Sequence, residues 1–215
     1  MFLKIGLANQ ITIVRILLIA PFVICMLKIN EKSLGNMERY LAIVIFAIMA
    51  ISDYIDGYLA RKRNMATKLG AFLDPLADKL LITCACLLLA SQRAAVEGFR
   101  LPIGVVVLII GKDLFLLIGF LIYYFMTFNV KILPAKIGKL ATLLQSSMVI
   151  AILIAPEVSG YAPQWIYFLR FLWWSAAGTA IIATLIYIND GLKYIEEYEQ
   201  EQSQKQIRDD KGESS

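Results

Sequence analysis

The stretch DYIDGYLARKRNMATKLGAFLDPLADK, residues 53–79, carries four aspartates in a chain of 215 residues that has no histidine. Asp53 and Asp56 are three apart, and Asp74 and Asp78 are four apart, so each pair shares one face of a helix. Two such faces turned toward each other offer four anionic oxygen ligands, a set that suits Mg²⁺ or Mn²⁺. Between the pairs runs a cationic segment, Arg61, Lys62, Arg63 and Lys68. Gly57 and Ala60 leave room for another helix or a ligand, and Gly70 allows a tight turn or close approach. Pro75 suits the first position of a helix capped by Asp74. Carboxylates that hold metal beside arginine and lysine make a phosphate-handling site, in which two cations about 3.5–4 Å apart clamp a pyrophosphate. Without histidine, general base work falls to a carboxylate, a lysine or a tyrosine, and Asp78, the deepest of the four in its helix, is the candidate.

Outside that block the chain is strongly apolar. It is 59% hydrophobic and 18% charged, with a mean hydropathy of +0.69, which predicts an all-α integral membrane protein rather than a soluble domain. Apolar runs cover Ile11–Leu27, Tyr40–Ser52, Lys79–Ser91, Leu101–Met126, Leu140–Ala155 and Ile166–Ile188. A spanning helix needs about 20 residues, so the second and third runs suffice only if the aspartate segments continue the same helices. The expectation is six transmembrane helices with the carboxylates near one membrane face. Acids at that depth are costly to keep, which marks them as functional.

Residues 1–190 read as a six-helix membrane catalytic domain and 191–215 as an acidic polar cytoplasmic tail, partly helical and then disordered. From Asp190 on, eight acids face four bases. Leaving the tail out, the side that holds the amino terminus and the aspartate block has eight basic residues and the other side five. That bias puts both termini and the acids in the cytoplasm, in a bacterial-type inner membrane. Arg15 within the first apolar run, and Lys28 and Lys32 after it, argue against a cleavable signal peptide. Cys25, Cys84 and Cys86 read as apolar packing residues, with no disulfide or zinc site.

The block resembles the signature of the CDP-alcohol phosphatidyltransferases, D-x2-D-G-x2-A-R-x8-G-x3-D-x3-D. Asp53, Asp56, Gly57, Ala60, Arg61, Gly70, Asp74 and Asp78 meet every fixed position. The resemblance implies transfer of a phosphatidyl group from CDP-diacylglycerol to an alcohol with release of CMP. It implies two Mg²⁺ or Mn²⁺ ions on the four aspartates, with Asp78 also deprotonating the acceptor hydroxyl. Gly57, Arg61 and Thr67 would hold the cytidine and its pyrophosphate, and Ala60 and Gly70 would leave room for the nucleotide. A homodimer with a site open sideways to the lipid is expected as well, with membrane lipids as partners and no nucleic acid.

The acceptor is read from the rest of the chain. Asn9, Thr12 and Arg15 form N-x2-T-x2-R on the first helix, Asn9 and Thr12 being assigned to CDP-diacylglycerol and Arg15 to the acceptor. With Asp74–Lys79 and the Lys136–Thr142 stretch KIGKLAT, these residues resemble the phosphatidylglycerophosphate synthase and CDP-dependent cardiolipin synthase branch. Glycerol 3-phosphate is a dianion, and Lys112, Lys136 and Lys139 join Arg15 as its expected cations. Lys112 lies in an apolar run beside Asp113, so a local charge pair is the competing reading. Phosphatidylglycerophosphate synthases typically have Gly-Arg-Glu where this chain reads Gly111-Lys112-Asp113, and lysine lacks the bidentate fork of arginine. Glycerol 3-phosphate is favoured, giving phosphatidylglycerophosphate, with phosphatidylglycerol (a cardiolipin synthase) as the alternative. A cation transporter also predicts paired acids, but it does not account for the spacing of Gly57, Ala60, Arg61 and Gly70.

Overall fold

The computed structural model describes residues 7–31, 36–63, 68–127 and 136–212, with side-chain surroundings at 12–31, 36–52, 77–119, 138, 140–189 and 191. All regular structure in the described residues is helical: α1 Leu7–Leu27, α2 Met37–Arg63, α3 Lys68–Ala90, α4 Ile103–Thr127, α5 Lys136–Leu153, α6 Ala155–Tyr161 and α7 Trp165–Gly212. As their lengths required, the second and third apolar runs share single helices with the acid pairs. α2 continues through Asp53 and Asp56 to Arg63, and α3 already begins at Lys68.

Two local expectations are corrected. Pro75 is interior to α3, which begins at Lys68, so position 74 is not the N-cap. Proline lacks the N–H that would bond the carbonyl four residues back, so α3 passes through it at the expense of one ladder bond. The fifth apolar run does not form one straight helix either. α5 ends at Leu153, Ile154 takes φ −88° and ψ −3°, and α6 restarts with Pro156 in its first turn, bent 67° from α5. Proline is well placed there because the first amides of a helix have no internal partner.

α1 packs against both α2 and α3, α3 also against α4 and α5, and α7 against α4 and α5. Phe22 of α1 meets Phe46 of α2 with ring centroids 5.7 Å apart, within a buried core that includes Met26, Met49 and Ile82. On α7 the buried positions Ala176, Ala180 and Ala183 recur at helical spacing, and their small side chains let α4 and α5 approach closely. At the end of the bundle away from Asp78, Asn30 Nδ2 donates to the carbonyls of Arg93 and Ala95, each at 3.0 Å. Buried Arg39 at the start of α2 pairs with Glu157 of α6, tying the bent segment to the bundle.

The outward faces are apolar too: Ile24, Val44, Ile48, Leu87, Val107, Leu114 and Leu185 are all exposed. Helices that are apolar all round suit a lipid solvent. By length and composition, Trp165–Asn189 of α7, with a mean hydropathy of 1.7, is long and apolar enough to cross a membrane. The bent α5–α6 pair would be a second span if taken as one.

Candidate functional site

The two acid pairs flank a short link. α2 ends seven residues after Asp56 and α3 begins six residues before Asp74, distances of about 10 and 9 Å along the helix axes. Only residues 64–67 separate the two helices, which limits the gap between their ends to about 18 Å. Both helices also pack on α1. The backbones of Asp53, Asp56, Gly57, Ala60 and Arg61 belong to the last turns of α2, and those of Gly70 and Asp74 to the first turns of α3. Their side chains lie outside the described residues, as do those of Asn9, Lys136 and Lys139 and the whole of Thr67. Asp78 is half-buried on α3, directly after the fully buried Ala77.

Thr12 and Arg15 are buried on α1, at 0% and 1% exposure, so the three-residue spacing of that motif does turn both into the protein. α1 thereby brings a guanidinium inside the bundle from the helix that touches both acid-bearing elements.

Midway along α3 and α4 lies a cluster of three ionisable groups. Asp113 Oδ1 is 2.8 Å from Lys79 Nζ and 2.9 Å from Lys112 Nζ. The side chains of Lys112 and Asp113 are 2% and 8% exposed, that of Lys79 33%. The pairing of Lys112 with Asp113 was foreseeable, since they adjoin within an apolar run. Lys79 was missed as a partner, and its signal was a lysine one residue past Asp78 inside a helix. Asp113 Oδ2 is buried without a hydrogen-bond partner. An apolar groove of about 470 Å³ between α3 and α4, lined by Leu87, Val107 and Ile110, ends at Gly111 beside this cluster.

Two further polar residues escaped the sequence reading. The missing side chain of Gly138 makes space for α7, because a Cβ there would stand 2.7 Å from the Tyr187 hydroxyl oxygen. α7 thus places a phenol against α5 between Lys136 and Lys139. Gln145 of α5 is fully buried, and neither amide atom has a hydrogen-bond partner. The three cysteines are free. Among the described side chains no group of three or more acids or cysteines stands close enough to hold a metal, but those of Asp53, Asp56 and Asp74 are not among them.

Comparison with known proteins identifies relatives for most of the chain. The family profile described as CDP-alcohol phosphatidyltransferase matches residues 5–186. A protein of Rickettsia typhi named CDP-diacylglycerol--glycerol-3-phosphate 3-phosphatidyltransferase is 32% identical over 155 residues, covering 72% of this chain and 80% of its own. One of the same name from Bacillus subtilis is 36% identical over 116 residues, covering 50% and 56%. A chloroplastic protein of that name, numbered 1, from Oryza sativa is 34% identical over 176 residues, covering 73% and 50%. The acid pairs on α2 and α3, the inward motif of α1 and the lysine-bearing start of α5 all fall inside the profile match, and the chain belongs to the CDP-alcohol phosphatidyltransferase family.

Proposed function

We propose that this protein transfers the phosphatidyl group of CDP-diacylglycerol to glycerol 3-phosphate, releasing CMP and forming phosphatidylglycerophosphate. The carrying observation is that a complete eight-position signature sits on the two helices α2 and α3, in a chain whose relatives share the name of that activity. The site lies at the cytoplasmic face of a bundle with six membrane spans, the bent α5–α6 pair counting as one, and the protein works as a homodimer. The apolar outward faces of α1 to α4 and α7 support the membrane part of this reading.

The donor set suits two divalent cations. It consists only of carboxylates, at spacings of three and four on continuous helices, and hard Mg²⁺ or Mn²⁺ takes oxygen ligands. Asp53, Asp56, Asp74 and Asp78 would hold them, and when bound they would supply positive charge to the diphosphate. Gly57, Ala60 and Gly70 leave the nucleotide room, while Arg61, Thr67, Asn9 and Thr12 bind and orient the CDP moiety. Asp78 takes the proton from the acceptor hydroxyl, whose oxygen attacks the lipid-side phosphorus as CMP departs. Arg15, Lys136 and Lys139 are the cations for the acceptor's phosphate, and Lys112 adds its charge from beside Asp113.

The test is an acceptor screen with purified protein, CDP-diacylglycerol and Mg²⁺ or Mn²⁺. Glycerol 3-phosphate should drive CMP release, with serine and inositol phosphate inert. Phosphatidylglycerol as the preferred acceptor would make the protein a cardiolipin synthase, in keeping with Lys112 where phosphatidylglycerophosphate synthases have arginine. Cation flux without CMP release would refute the enzyme reading altogether.

A further inference from the structure

Two lysines on one carboxylate is an unequal arrangement, and at this depth it needs a reason. A single lysine would neutralise Asp113, and Lys79 is a second ammonium at 2.8 Å that also feels the negative charge of Asp78. Apolar side chains would pack α3 against α4 at least as well, since a buried ion pair is seldom more stable than the hydrophobic residues that replace it. The two lysines are also not alike. Lys112 is shut away, with a side chain 2% exposed, whereas that of Lys79 is 33% exposed and follows Asp78 directly on α3.

From this asymmetry we propose that Lys79 is a phosphate-contacting residue that Asp113 holds in readiness, with Lys112 as the fixed counter-ion that lets it leave. When Lys79 swings from Asp113 to a phosphate oxygen at the Asp78 end of α3, Asp113 stays paired with Lys112. No buried charge is stranded at any point of the exchange, and stranding one is the costly event in a low-dielectric interior. The flexible four-carbon stem of lysine and its compact charge suit such a movement better than a planar guanidinium would. The ligand chemistry is a phosphate oxyanion, from either the acceptor's phosphate or the donor's diphosphate. The inference rests on the proposed function for its substrates.

The experiment compares four variants with the wild type: Lys79→Met, Lys112→Met, Asp113→Asn and the double variant Lys112→Met/Asp113→Asn. Steady-state CMP release gives KM for glycerol 3-phosphate and for CDP-diacylglycerol separately, and thermal shift with CMP and with glycerol 3-phosphate gives binding without turnover. Lys79→Met keeps the Lys112–Asp113 pair, so it folds, and its KM for one phosphate-bearing substrate rises at least tenfold. The substrate affected identifies which phosphate Lys79 meets, with the matching thermal shift reduced. Lys112→Met leaves Lys79 as the only partner of Asp113 and raises the same KM. Adding Asp113→Asn frees Lys79 again and lowers that KM at least threefold from its Lys112→Met value, a recovery that a packing role does not predict. Unchanged KM values and unchanged shifts in Lys79→Met overturn the proposal, and so does a double variant no better than Lys112→Met. A wild-type protein that releases no CMP with glycerol 3-phosphate refutes the proposed function instead, and the thermal shifts then decide the role of Lys79 alone.

Discussion

Replacing Gly138 with alanine should expose how tightly α7 is seated on α5, and the double variant with Tyr187→Phe should show why. A Cβ at position 138 would stand 2.7 Å from the Tyr187 hydroxyl oxygen and 3.8 Å from the ring carbon that bears it. Even a weak C–H···O contact needs about 3.3–3.6 Å, so roughly 0.6 Å must be found by moving the phenol or parting the helices. Overpacking of this kind costs about 1–3 kcal/mol. Against it stands the intrinsic gain of Gly→Ala within a helix, about 0.8–1.0 kcal/mol. The single variant should therefore fall between neutral and about 2 kcal/mol less stable than wild type. In the Tyr187→Phe background the oxygen is gone and the remaining carbon is in ordinary contact, so the same Gly→Ala change should stabilise by about 0.8–1.0 kcal/mol. Any hydrogen bond made by the hydroxyl is lost in both arms and cancels, leaving a coupling of about 1–3 kcal/mol. Unfolding of all four proteins in mixed detergent micelles, followed by tryptophan fluorescence or thermal melting, measures it. An alanine effect of equal sign and size with and without the Tyr187→Phe change would refute the steric reasoning.

Asp78→Asn should reduce CMP release to background while CMP binding, read by thermal shift, stays partly intact; full turnover would remove Asp78 as the base. Chelation of divalent cations should stop the wild-type reaction and added Mg²⁺ or Mn²⁺ should restore it, whereas activity that survives exhaustive stripping would count against the four-aspartate site. Glu157→Ala strands Arg39, whose side chain is only 8% exposed. Breaking a fully buried pair costs about 3–5 kcal/mol, and because Glu157 is one-third exposed the expected loss is about 1–3 kcal/mol, with Arg39→Met/Glu157→Leu recovering most of it. Gln145→Met should raise the melting temperature, because it removes a buried amide with neither atom hydrogen-bonded, a burden of about 1–3 kcal/mol; a lower melting temperature would mean that the amide has a partner in solution.

The sequence was most legible where spacing carries chemistry. Aspartates three and four apart, with glycine, alanine and arginine at set offsets, identify a family because each position answers to a different contact, and no fold was needed to read them. The helical class was equally readable, since runs such as Leu101–Met126 are too long and too apolar for anything else. The requirement that the acid pairs continue the second and third apolar runs is met by α2 and α3. The breaks were harder. Pro75 and Pro156 look alike as punctuation, yet one lies inside α3 and the other opens α6. Proline's local effect is fixed by its ring, while whether a helix continues past it depends on what the neighbouring helices pack against.

By itself, then, the sequence determined the family, the helical class and the residues expected at the phosphate chemistry, because helical periodicity and fixed motif offsets are local properties of the chain. Only the tertiary structure decided that Lys79 of α3 and Lys112 of α4 converge on Asp113, that Arg39 reaches Glu157, and that Tyr187 rests on Gly138. Lys79 and Asp113, Arg39 and Glu157, and Gly138 and Tyr187 are 34, 118 and 49 positions apart. Their meeting depends on the relative rotation and crossing of packed helices, and a 3.6-residue repeat read along one chain segment carries no record of which neighbour its polar face will meet.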